Sequence, residues 1–292
     1  MPSVRPVSIL LPIALLLVAM TSIQSGAALA KGLFPLIGPE GTTALRLVLA
    51  ALILALVMRP WRARLTGASC RSLLAYGSAL GGMNLLFYMS LKTVPLGIAV
   101  ALEFTGPLAL ALFASRRLID FVWIVLAVFG LWLLLPSDVH STPLDPMGML
   151  LALSAGLCWA LYIIFGQKAG AEHGGHTVAL GTLVAALLVA PIGLWQAGTA
   201  LFSVDLLPVA VAVAILSSAL PYSLEMIALT RLPARTFSVL MSMEPAIAAL
   251  SGLLFLSERL SFNQWLAIAA IIAASSGAAA TLRGKAQPIV HD

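Results

Sequence analysis

Long apolar blocks alternate with short polar connections from one end of the chain to the other. A helix that crosses a bilayer needs about 20 mainly apolar residues. The blocks near residues 9–30, 40–58, 72–91, 95–114, 119–136, 146–166, 176–195, 206–229, 234–256 and 262–282 approach or meet that length, so the pattern predicts ten membrane helices. Turn chemistry separates them at Gly38-Pro39, Arg59-Pro60, Val94-Pro95, Pro136-Ser137 and Leu232-Pro233. No connection is long enough to hold a soluble domain.

Composition agrees with a bilayer environment. Hydrophobic residues make up 61% of the 292 and charged residues only 9%, against roughly 25% charged in soluble domains. The net charge of +5 raises nucleic acid as a partner, but the basic residues sit in short loops between apolar runs, which argues against it. Cys70 is expected in a basic loop and Cys158 inside an apolar run, with neither disulfide nor metal spacing between them. His140, His173, His176 and His291 are all expected in loops or at the C-terminus, so no metal site and no cofactor is implied. Arg5, the run from Ile9 to Met20 and Ala28-Leu29-Ala30 have the outline of a cleavable signal peptide. The segment is long enough to span, and Thr21, Gln24 and Ala28 share one helical face, so it is expected to be the first membrane helix.

Basic residues also set an orientation. With the N-terminus in the cytoplasm, that side receives Arg5, Arg59, Arg62, Arg64, Arg71, Arg116, Arg117, Lys168, Arg231, Arg235, Arg283 and Lys285, twelve of the sixteen. Lys31, Lys92 and Arg259 fall on the far side, and Arg46 lies within a helix. The positive-inside rule therefore places both termini in the cytoplasm of a bacterial cell, with the chain multi-pass in the inner membrane. The two halves share a register: Leu91, Pro95 and Pro107 match Leu229, Pro233 and Pro245 at an offset of 138, and Lys31 matches Lys168 at 137. An odd number of helices per half turns the second half upside down. The expected fold is all-α, with two inverted five-helix repeats at 9–137 and 146–283, a plan common among secondary transporters.

The strings SIQSGAALAKGLFP, GGMNLLFY, TVPLGIAVALEFTGPLA, AILSSALPYSLEMIALTRLP and LMSMEPA resemble the threonine/homoserine exporters of the drug/metabolite transporter superfamily, whose repeat unit is the EamA domain. The resemblance covers nearly the whole chain. It implies a ten-helix inner-membrane carrier that moves homoserine, threonine and related amino acids outward. Broader EamA repeats often end the fourth and ninth helices in Gly-Glu. Here Ser115-Arg116-Arg117 and Ser257-Glu258 stand in those places, which puts a role for a paired Gly-Glu motif in doubt.

Four charged residues fall inside the predicted spans: Arg46, Glu103, Glu225 and Glu244. Each costs about 2.5–3.5 kcal/mol at a helix centre on insertion scales, so each is expected to face a cavity or a partner. Glu103 is expected near the middle of the fourth helix with Pro107 one turn on, and Glu244 near the middle of the ninth, directly before Pro245. A proline frees a backbone carbonyl and can open the helix locally. Arg46 is expected five or six residues in from the outer end of the second helix, where it receives a substrate carboxylate, snorkels or pairs with a glutamate. Glu225 lies close to the cytoplasmic end of the eighth helix, on one face with Ser218 and Tyr222 and beside Pro221. Asn84 and Tyr88 align at i, i+4, and Gln24 lies on the first helix; these either hydrogen-bond an amino-acid zwitterion or bond between helices. Trp159 and Tyr162 read first as aromatic packing, and Gly77-xxx-Gly81 as close helix approach.

The sequence therefore points to a secondary transporter, with a small amino acid, protons and the lipid bilayer as its partners. Glu103 and Glu244 are the candidates for coupling to the proton gradient. A carrier of other metabolites or drugs is the alternative within transport, and an intramembrane enzyme the alternative outside it. An enzyme would need a nucleophile–base pair or a metal cluster within the spans, and no histidine is expected in one. No GxxxxGK[ST] motif supplies ATP. Oligomeric state is left open; a monomer is compatible with the sequence.

Overall fold

The computed structural model describes residues 7–62, 67–113, 118–133, 144–173, 176–232, 237 and 240–281. Among these there is no strand. Seven helices come first: α1 Val7–Lys31, α2 Phe34–Met58, α3 Gly67–Ser90, α4 Leu96–Phe113, α5 Leu118–Leu133, α6 Pro146–His173 and α7 His176–Ala197. One further span is built from α8 Leu207–Ala214, a π turn at Ile215–Ala219 and α9 Leu220–Arg231. α10 Glu244–Leu256 and α11 Phe262–Thr281 complete ten helical spans among the described residues. Five of these segments are long and apolar enough to cross a membrane by themselves: Leu10–Lys31, Phe34–Met58, Pro146–Ala171, His176–Phe202 and Val204–Tyr222.

The apolar surface divides into two kinds. Large side chains such as Phe113, Trp195, Leu254 and Phe262 stand exposed on the outside, as a lipid-facing surface requires. The interior is rich in alanine and glycine, which lets backbones approach closely. Gly77 and Gly81 of α3 face Val184 and Ala185 of α7, where a Cβ at either glycine would crowd its neighbour. The principal neighbours are α2 with α7, α3 with α6 and α7, α4 with α6 and α10, α1 with α9 and α10, and α5 with α11.

Several boundaries differ from the sequence reading. Gly38-Pro39 is not a connection: α2 begins at Phe34 and runs through it with a kink. Gly38 takes a φ of 68°, which glycine alone adopts cheaply, and Pro39 then needs no helical N–H partner. The true connection is Gly32-Leu33. Cys70 lies within α3 rather than in a loop, and α6 continues about two turns past residue 166, to His173. His173 ends α6 and His176 opens α7, with its Nδ1 3.0 Å from the Met58 carbonyl oxygen. Pro136-Ser137, Arg64, Arg116, Arg117, Arg235, Arg283, Lys285, His140, His291, and Arg5 lie outside the described residues.

Proline acts differently at three sites. Pro107 was expected to break its helix, yet α4 runs unbroken from Leu96 to Phe113. Beside Pro107, α4 lies against α6 at Gly106 and Gly156, so closely that a Cβ on either would meet the other's backbone or that of Glu103. At Pro245 the opposite happens. Met243 caps the start of α10, so Glu244 is the first residue of a helix and not the middle of one. Pro245 lacks the N–H that would continue a ladder from the preceding turn. Pro221 sits in the first turn of α9, directly after the π turn.

A polar clasp and a cavity with buried charges

A cavity of about 680 Å³ lies among these helices, within the range of small-molecule sites. It is lined by Gln24 from α1, Arg46 from α2, Asn84, Phe87 and Tyr88 from α3, and Glu103, Phe104 and Pro107 from α4. From the second half come Trp159, Tyr162 and Gln167 of α6, Ser217 of the π turn, Tyr222 and Glu225 of α9, and Glu244 of α10. Arg46, Glu103, Glu225, Glu244, Asn84, Tyr88, Tyr222 and Gln24, all named from sequence, therefore line one space. Of the three candidate prolines, Pro107 lines it, while Pro221 and Pro245 shape the backbone beside it.

Arg46 is the cation of the site. It lies twelve residues past the start of α2 and is 3% exposed, so it does not snorkel to an outer surface. It also makes no ion pair among the described residues, where Lys31–Glu258 is the salt bridge found. Its partners are neutral. Nη1 donates to the Ser217 carbonyl oxygen (3.3 Å), Ser217 Oγ (3.1 Å) and Ser218 Oγ (3.2 Å), and Nη2 donates to Asn84 Oδ1. Asn84 is itself oriented by donating from Nδ2 to the Leu80 carbonyl at 2.8 Å. The guanidinium carbon sits 4.7 Å from the centre of the Tyr88 ring, a cation–π contact.

The π turn makes this cradle possible. A π turn widens the helix and turns carbonyls away from their usual partners. Two find donors from elsewhere: Ser22 Oγ donates to the Leu216 carbonyl at 2.7 Å, and Arg46 takes that of Ser217. Gly26 of α1 lets the turn come this close, since a Cβ there would sit 2.9 Å from Ser217.

Three carboxylates share the cavity with Arg46. Gln24 Nε2 donates to Glu244 Oε1 at 2.9 Å, while the other oxygen of Glu244 is buried without a partner among the described residues. Glu103 is buried. Glu225 is partly buried. The aromatic walls both pack and line: Trp159 meets Phe104 edge-on at 5.3 Å, and Tyr162 stacks on Tyr76 at 4.9 Å. Trp159 and Tyr162, read from sequence as aromatic packing, therefore line the cavity as well.

Sequence reasoning did not single out Ser217, Gln167, Phe237, Met241 or Ser275, all of which line the cavity. The signal for Ser217 was present in the string Leu-Ser-Ser-Ala-Leu-Pro at 216–221, small polar residues before a proline in an apolar run. The role of Glu258 was also missed. Ser257 turns the chain with a φ of 55°, and Glu258 folds back so that Oε1 pairs with Lys31 Nζ (2.6 Å) and Oε2 accepts the Leu96 N–H (2.8 Å). This clasp ties the ends of α1, α4 and α10 on the side of the bundle that carries the α1–α2 and α3–α4 connections. The cavity lining runs towards the opposite side, to Leu110, Gln167, Val178 and Phe237.

A multi-pass helical bundle around a buried space with separated charges defines a membrane transporter. The model of the EamA-like transporter family matches residues 146–279. The threonine/homoserine exporter RhtA of Salmonella typhimurium is 61% identical over 285 residues, covering 98% of this chain and 97% of that protein. RhtA of Escherichia coli K12 is 62% identical over 281 residues, 96% of this chain and 95% of that one. A crystal structure 19% identical in sequence shares the fold, with a TM-score of 0.55 over 94% of this chain and 98% of its own. The chain belongs to the EamA-like transporter family.

Proposed function

We propose that this transporter exports threonine and homoserine across the bacterial inner membrane, driven by protons moving inward, with both termini in the cytoplasm. One observation carries the reading: a buried arginine, held by neutral groups among the described residues, shares a cavity with three carboxylates. A zwitterion supplies what that arrangement lacks, a carboxylate for Arg46 and an ammonium for the acidic side. An apolar drug would leave the charges buried without counter-charge, at a cost of several kcal/mol. The names of the relatives, exporters of threonine and homoserine, support the substrate.

In the mechanism we propose, the substrate enters from the cytoplasm, to which the cavity lining extends in this orientation. Its carboxylate meets the Arg46 guanidinium, and its ammonium meets Glu244, whose second oxygen has no partner among the described residues. Glu103 then carries the proton. Ammonium and proton compete for the acidic side of the cavity, so that a proton arriving from outside displaces substrate and an arriving substrate displaces the proton. The clasp of Lys31, Glu258 and the Leu96 amide closes the outer side and must open for release.

Two inverted repeats at 9–137 and 146–283 fit this cycle. The helix neighbours support them: exchanging the first five spans with the second five turns α3–α6 into the α1–α9 contact, and α4–α6 into α1–α10. The same exchange leaves α2–α7, α4–α10 and α5–α11 unchanged. The test of function is uptake of labelled threonine and homoserine into inside-out vesicles, with and without a pH gradient. Accumulation that grows with the gradient is expected; no accumulation of either substrate overturns the assignment.

A further inference from the structure

Among the described residues, four buried side-chain atoms have no hydrogen-bond partner: Arg46 Nε, Glu244 Oε2, Tyr88 Oη and Gln24 Oε1. All four belong to residues that line the one cavity. Buried polar atoms are normally satisfied, and each that is not costs about 1–3 kcal/mol. Four such atoms on residues around one cavity point to the chemistry of what fills it.

The four differ in kind. Arg46 Nε is a cationic donor and Glu244 Oε2 an anionic acceptor, and these match the two ends of a zwitterion. Tyr88 Oη and Gln24 Oε1 are neutral, and a zwitterion's charged groups do not account for them. Tyr88 Oη both donates and accepts, and Gln24 Oε1 accepts, so together they fit a group that does both. An aliphatic hydroxyl is such a group.

Position agrees with this. The Tyr88 ring lies under the guanidinium, and Gln24 holds Glu244 through its Nε2, so the two neutral atoms belong to residues that touch opposite charged ends of the site. Tyr88 is 2% exposed, with its ring fixed by Phe34 at 6.2 Å and Phe87 at 5.9 Å.

Resting on the amino-acid reading above, we infer that Tyr88, with Gln24 as second partner, is a specificity-determining residue that reads a side-chain hydroxyl, so that the site takes hydroxylated amino acids over their deoxy analogues. A site that hydrogen-bonds a substrate hydroxyl rejects the analogue lacking it far more strongly than an apolar pocket rejects a missing methylene.

The experiment uses the full chain, purified into proteoliposomes, with labelled threonine and labelled 2-aminobutyrate, which has the same skeleton without the hydroxyl. The wild type is expected to favour threonine by at least about tenfold, the scale of one hydrogen bond to a substrate. Tyr88→Phe keeps the ring beneath Arg46 and removes only the hydroxyl, and the preference should fall to about twofold. An unchanged preference in Tyr88→Phe overturns the inference, as does loss of both substrates together, which assigns Tyr88 to structure. A wild type that carries both equally overturns it without any variant, while leaving amino-acid export intact. A wild type that carries neither overturns the amino-acid reading itself.

Discussion

The two halves of the chain build opposite walls of the cavity by different means. The first half presents its groups from helices that stay regular where they meet the site: Asn84 and Tyr88 from α3, and Glu103 from an α4 that passes straight through Pro107. The second half adds irregular backbone to its regular α6: the π turn at Ile215–Ala219, which holds Ser217 and Ser218, and the helix start at Glu244. Contacts then cross between them, Arg46 to Ser217 and Ser218, Gln24 to Glu244, Ser22 to Leu216 and Lys31 to Glu258. A regular wall fixes side chains in space, and an irregular wall offers free carbonyls and turned side chains to receive them. Because the polar contacts join the halves, any movement of one half against the other must rearrange the site.

The largest expected effect comes from the group that joins the walls most. Arg46→Ala leaves a substrate carboxylate unmatched, and losing one partner of a buried charge pair costs about 2–5 kcal/mol. Threonine export should fall about 100-fold at matched protein level in the membrane. Arg46→Lys keeps the charge without the planar fork, and should fall less but clearly. Normal export by Arg46→Ala would make the cross-wall contacts merely structural.

The carboxylates sharpen the comparison next, since Glu103 belongs to the first half and Glu244 to the second. Glu103→Gln is expected to abolish the response of export to an imposed pH gradient, because glutamine cannot exchange a proton. Glu244→Gln should lower export about tenfold while some pH response remains. Rates against gradient for both variants distinguish the roles. If both keep the wild-type pH dependence, neither couples and Glu225 takes their place.

A smaller effect tests whether the α4–α6 crossing keeps the first wall regular. Gly156→Ala places a Cβ against the Glu103 backbone, whereas Gly170, also on α6, has open space around it. Gly156→Ala should cut the amount of folded protein several-fold and Gly170→Ala should leave it unchanged, read by fluorescence-detected chromatography in mild detergent. Equal behaviour of the two would mean that the crossing does not hold α4 together.

The smallest effect lies outside the cavity, at the start of α6. A hydrogen bond from Thr93 Oγ1, assisted by the backbone amides of Met147 and Gly148, holds the Asp145 carboxyl below its ordinary value. A lowered value in the folded state contributes stability above the ordinary carboxylate range, and that contribution is lost as pH falls through the lowered value. Asp145→Asn should slightly lower the thermal midpoint at neutral pH, and the difference from wild type should shrink in acid.

The charged part of the site was legible in sequence because a charge in an apolar span has to be explained, and Arg46, Glu103, Glu225 and Glu244 announce themselves. The depth of Arg46 was not, because Gly38-Pro39 reads as a connection when it is a kink inside α2. Pro107 and Pro245 share a register, yet the chain breaks only at the second. The difference lies in what packs alongside, Gly156 against Gly106 in the first case, and a single sequence does not display that contact. Ser217 and Ser218 went unassigned as partners of Arg46 because a serine in an apolar helix looks alike whether it faces a cavity or a neighbouring helix. Ser257, not Glu258, departs from a Gly-Glu ending, and the place of Glu258 in the clasp needed the turn at Ser257 to be seen.

The central claim is that one cavity holds both ends of an amino-acid zwitterion, and analogues lacking either end test it most directly. Wild-type proteoliposomes would be given labelled threonine, threonine methyl ester, which lacks the carboxylate, and 3-hydroxybutyrate, which lacks the ammonium. Threonine alone is expected to be carried, with each analogue slower by at least about 100-fold, since each leaves one buried charge unmatched. Transport of either analogue at a rate near that of threonine would contradict the account, because the site would then not be reading the charge at that end.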